Sequence, residues 1–121
     1  MLKKIFIAVF MMTLFITQNV SAQDVWVHTD RNSGIEYYVM TETFNQRQKN
    51  DYHFDIDVKY VRNGKLIDVK TYSFDGHDGV SYKIDGVYKG TNFDKGGMGQ
   101  PATDILSYCA RNFKLSNRMG N

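Results

Sequence analysis

From Asp24 to Ile84 apolar side chains alternate with polar ones, and clusters of Gly, Asn, Asp and Ser interrupt them at short intervals. That is the period of half-buried strands rather than of a helix. The pattern predicts strands at about 24–29, 35–44, 52–62, 65–74 and 80–84. Between them lie four turns: DRNSG at 30–34, the polar run 45–50, Asn63-Gly64, and DGHDG at 75–79. Asn-Gly between two alternating runs is a strong hairpin signal, because a type I′ turn needs positive φ at both central residues. As a two-residue turn it predicts Arg62 opposite Lys65, Lys59 opposite Asp68 and Asp57 opposite Lys70. One face then carries Phe54, Ile56, Val58, Tyr60, Ile67, Val69 and Thr71, and the other His53, Asp55, Asp57, Lys59, Asp68 and Lys70. An apolar inside, a charged outside and two opposite-charge pairs all agree with that register.

Residues 86–100 hold five of the ten glycines and show no period, which predicts a loop with a short strand at Val87-Tyr88. The period changes after Pro101, a residue suited to a first helical turn. Ala102, Ile105, Leu106, Cys109 and Phe113 then follow the spacing of one apolar helical stripe. Asp104 lies near the positive end of this helix, with Arg111 and Lys114 near the negative end. The expected fold is α+β: an antiparallel meander of four to five strands with one C-terminal helix packed on one face. It forms a single domain over residues 23–115, followed by a frayed tail at 116–121.

The first 22 residues read differently. Lys3 and Lys4 precede an apolar run at 5–16, and Val20-Ser21-Ala22 supplies the small residues of a cleavage site. This is the plan of a signal peptide, with cleavage expected after Ala22. The run is shorter than the roughly 18 residues needed to span a bilayer, so no transmembrane anchor is expected after cleavage. No cysteine ends the run, which removes the lipoprotein route. Export through a Sec-type signal to the periplasm or beyond is therefore expected. Losing Lys3 and Lys4 leaves thirteen basic side chains against thirteen acidic ones. That balance gives no footprint for nucleic acid. The lone Cys109 allows no disulfide framework, and on the apolar stripe it is expected to be an inert core residue in a monomer.

Few residues carry chemistry. His53, Asp55 and Asp57 share one strand face, as the start of a metal site would, but the expected lysine opposite Asp57 makes a solvated face the better reading. DGHDG lacks the ligand spacing and distant glutamate of a calcium loop. Gly96-Gly97-Met98-Gly99 lacks the lysine and hydroxyl residue of a phosphate loop. No catalytic, metal or cofactor site is expected. The expected register also sends Tyr38, Met40 and Phe44, with Tyr72 and Phe74, to the face opposite the core. Tyr38, Tyr72 and Phe74 are accordingly the candidate ligand-binding surface.

Trp26-Val27-His28-Thr29-Asp30, Gly34 to Val39 (GIEYYV), the NGK hairpin and Tyr82-Lys83-Ile84-Asp85 resemble a group of small exported bacterial proteins of unassigned activity. More distantly, the stretch is similar to the surface-adhesin protein E family, which has a tryptophan on the first strand and a Tyr-Tyr pair on the second. The chain departs from the adhesin pattern in lacking a cysteine pair. The resemblance implies a surface or envelope binding role. The expectation is a non-enzymatic exported binding module for a protein or envelope component. The alternative is a secreted inhibitor of a protease or lysozyme, presenting the 86–100 loop to an enzyme cleft.

Overall fold

A computed structural model describes residues 23–49, 52–76, 79–92, 97–113 and 115. The expected signal peptide at 1–22, the tail at 116–121, Lys114, and parts of the 75–79 turn and the 86–100 loop lie outside the described residues. Six strands, β1 (Asp24–Asp30), β2 (Ile35–Gln46), β3 (Tyr52–Arg62), β4 (Lys65–Gly76), β5 (Val80–Ile84) and β6 (Val87–Thr91), precede one helix, α1 (Gln100–Asn112). The strands form one antiparallel sheet in chain order, so the domain is an α+β meander with a C-terminal helix. The strand beyond the expected five is β6, which extends the predicted Val87-Tyr88 segment to Thr91. Asp85 and Gly86 have φ of 50° and 83°, as Asn63 and Gly64 have 53° and 75°. Both pairs make the left-handed two-residue turns that Asx-Gly favours.

The β3–β4 register corrects the sequence expectation. Arg62 does face Lys65 and Val61 faces Leu66, but Tyr60 faces Asp68, leaving Ile67 as the extra residue of a β-bulge. Beyond it every pair is shifted by one: Lys59 faces Val69, Asp57 faces Thr71 and Ile56 faces Tyr72. A one-residue shift exchanges the faces of a strand. Ile67 and Val69 are consequently left 45% and 40% exposed, while Tyr72 and Phe74 turn inward at 2% and 0%. The exchange gains burial, since each aromatic brings about 150–250 Å² to the core. The two expected ion pairs are replaced. Lys59 reaches Asp24 at 2.8 Å, Asp57 accepts from Thr71 Oγ1 at 2.7 Å, and Lys70 lies 3.3 Å from Asp68 and 3.8 Å from Asp85.

The inner face is a run of packed aromatic rings. Tyr37 lies 4.6 Å from Tyr60, Phe54 lies 5.0 Å from Phe74, and Phe74 and Tyr82 are 6.0 Å apart, all centroid to centroid. Tyr60 and Tyr72 share a hydroxyl hydrogen bond of 2.5 Å, and burial pushes Tyr60 up to about 12 even though that bond opposes the shift. α1 closes this face with Ala102, Ile105 and Cys109 fully covered, and Phe113 stacks on Phe44 at 4.0 Å. The apolar stripe expected of the helix thus packs on the sheet.

Burial pushes the Cys109 thiol up to about 12, so almost no thiolate forms at neutral pH. Native protein should react with a thiol probe only at the rate of unfolding, whereas denatured protein should react at once. Rapid labelling of the native protein would place α1 the other way round.

Arg47 braces the far end of the sheet. Its Nε lies 3.0 Å from Asp55 Oδ1, Nη1 lies 2.8 Å from Asp75 Oδ1, and Nη2 donates to the Phe74 carbonyl at 2.8 Å. Burial alone would raise the Asp75 carboxyl, but hydrogen bonds from Arg47 and His53 outweigh it and hold Asp75 below its ordinary 3.8. A depressed carboxylate contributes stability that is complete above the ordinary value and is lost as pH falls through the lower folded one. Asp75→Asn should therefore lower stability at neutral pH and converge on the parent in strong acid. Chemical denaturation at both pH values checks this, and a constant difference would refute it.

Candidate functional site

β1 carries a second bulge, between Trp26 and His28, which takes Val27 out of the ladder with β2. A bulge locally bends its strand; Trp26 stays paired with Tyr38, and Trp26 and Val27 both border the space beside α1. The Trp26 side chain is 54% exposed, and its Nε1 donates to Thr29 Oγ1 at 2.8 Å. With the indole N–H used locally, more than half of the side chain remains exposed.

From the helix come Asp104, Ser107, Tyr108 and Arg111, spaced i, i+3, i+4 and i+7. Such spacing lines one side of a helix, and this stripe lies next to the buried stripe of Ala102, Ile105 and Cys109. Together with Trp26 and Val27, these four residues line an open cleft of about 240 Å³ between β1 and α1. His28 Nδ1 lies 3.0 Å from Asp104 Oδ2, and Gln100 Nε2 donates to Asp104 Oδ1 at 2.7 Å. Asp104, expected only to complement the helix dipole, is thus the polar tie between the helix and the sheet. Arg111 Nε donates to the Ser107 carbonyl at 3.3 Å. Among the described residues no carboxylate forms an ion pair with Arg111.

No family model matches the chain, and neither does any curated protein or solved structure.

The three residues expected to share a ligand-binding surface are separated. Tyr38 stands half-exposed opposite Lys59, on the face away from α1, whereas Tyr72 and Phe74 are core residues under the helix side of the sheet. The exposed cluster expected from the unbulged register is therefore not formed. Phe44, assigned to the same outer face, packs against the core as well, because the β2–β3 register shifts between Met40 and Asn45. His53 and Asp55 join the Arg47–Asp75 network rather than forming a set of their own. Among the described residues no three His, Cys, Asp or Glu side chains are grouped to hold a metal ion. No described helix is long and apolar enough to cross a membrane.

The cleft was readable in part. A polar and aromatic stripe at 104, 107, 108 and 111, adjoining the buried stripe, is visible in the residues alone. Its meeting with Trp26 depends on how α1 lies against β1, a contact between segments about 80 residues apart that no local pattern carries.

Proposed function

We propose that this is an exported, non-enzymatic binding module whose ligand sits in the β1–α1 cleft, held by ring stacking on Trp26 and a charge-assisted hydrogen bond to Arg111. The observation that carries this reading is the pairing of an exposed indole with a guanidinium that no described carboxylate neutralises, in one concave site. Tryptophan, tyrosine and arginine are enriched among the residues that dominate protein interfaces once a partner covers them. The ligand carries an anionic group next to an apolar or ring-shaped one.

The cleft also brings Ser107 close to a His–Asp pair, which raises hydrolysis as an alternative. A serine nucleophile works through a hydrogen bond to its histidine base, and no bond links Ser107 to His28. His28–Asp104 is better read as the tie that holds α1 against the sheet. The tryptophan on the first strand and Tyr37-Tyr38 on the second, the features shared with the surface-adhesin protein E family, favour an envelope or surface partner for a monomeric domain.

Affinity capture from envelope fractions tests the proposal. Mature protein should retain a component that the Trp26→Ala/Arg111→Gln double variant does not. Equal retention by both proteins would remove the cleft from the account.

A further inference from the structure

This inference rests on the binding role of the cleft and names the class of partner. β1 is the terminal strand of the sheet, and β2 pairs with one of its two edges. Among the described residues no backbone group bonds to the other edge between Val25 and Thr29. Terminal strands are usually protected from further pairing by short length, charged side chains, proline, a bulge or a covering helix or loop, and α1 packs beside β1. The opposite terminal strand, β6, is five residues long and carries Lys89. β1 is seven residues long, has neither lysine nor proline, and carries Val25-Trp26-Val27 in its first half. Its bulge lies between Trp26 and His28, and Trp26 and Val27 still line the cleft.

The size and charge of the cleft narrow the occupant. At about 240 Å³ it lies below the roughly 300–1,000 Å³ of sites that enclose a whole small molecule. It has room for one or two side chains of a larger ligand, and the adjacent strand edge can hold that ligand's main chain. The acidic residue at the cleft, Asp104, is already engaged by His28 and Gln100, whereas Arg111 has no described acidic partner. An incoming chain is therefore favoured when it brings a carboxylate.

We propose that β1 accepts an extended acidic segment of a partner protein as an added strand. One apolar side chain of that segment lies against Trp26 and Val27, and a Glu or Asp carboxylate binds the Arg111 guanidinium. The main-chain bonds supply affinity with little regard to sequence, and the cleft supplies selection.

The test pans a library of random peptides against mature protein. Selected peptides are then measured on the parent, Trp26→Ala and Arg111→Gln, each variant first shown to melt like the parent. Enriched peptides should carry an acidic residue among alternating apolar ones. They should lose about tenfold or more in affinity on Arg111→Gln. N-methylation at alternate positions should abolish binding in one phase, where the N–H faces β1, and spare it in the other. Unchanged binding after methylation in both phases would overturn strand addition while leaving the cleft as a binding site. Peptides indifferent to both variants would overturn strand addition and cleft together. If no peptide is enriched and immobilised glycans bind the parent but not Trp26→Ala, the partner is a saccharide, and the peptide proposal is wrong while the cleft stands.

Discussion

Phe74→Ala should destabilise the domain by about 3–5 kcal/mol, the cost of removing a fully buried aromatic and leaving a cavity. Phe74 is 0% exposed and stacks between Phe54 and Tyr82, so three strands lose a common contact. Small domains have only about 5–15 kcal/mol of stability. This one substitution should therefore remove a large share of it and move the denaturation midpoint accordingly. Tyr38→Ala, on the uncovered face, should cost no more than about 1 kcal/mol. The contrast tests the β3–β4 bulge directly, because the unbulged register places both residues on the same exposed surface. Similar, small effects at the two positions would restore that register.

The second large effect concerns binding. Trp26→Ala should weaken the affinity for a captured ligand by about ten- to a hundredfold, roughly 1.4–2.8 kcal/mol. Arg111→Gln should weaken it by a similar factor, with the loss shrinking at high salt as the ionic contact is screened. Neither change should alter stability by more than about 1 kcal/mol, since both side chains stand largely in solvent. Isothermal titration beside thermal melts separates the two effects. A loss of binding that tracks a loss of stability would mean that these residues serve the fold and not the site.

Most of the fold was legible because strand alternation, the Asn63-Gly64 turn and the apolar stripe of α1 are local signals. β6 was half missed although Asp85-Gly86 is the same kind of turn signal, because the glycines that follow obscure the short strand. Two of the four register shifts among the described strands bear on the candidate site. At Ile67 one extra residue carries Tyr72 and Phe74 from the expected surface into the core, and at Val27 another interrupts β1 where Trp26 and Val27 line the cleft that Arg111 also lines. A bulge shows only as a change of phase; in β4 apolar residues stand at 67 and 69 and then at 72 and 74, and the alternation does not say which phase faces inward. The charges were misleading in the same way. Lys59 with Asp68 and Asp57 with Lys70 look complementary across the hairpin, but burial of two large rings outweighs exposed pairs worth about 0.2–1 kcal/mol each. Lys59 found its partner in Asp24 on another strand, at a distance in sequence that no local pattern spans.

Chemical-shift mapping of the isotopically labelled mature protein, on addition of the ligand recovered by capture, tests the cleft most directly. The shifts should concentrate on Trp26, Val27, Ser107, Tyr108 and Arg111, with the Trp26 indole among the largest. Shifts centred on Leu66, Ile67 and Val69 of the exposed β3–β4 hairpin, with the cleft silent, would contradict the account.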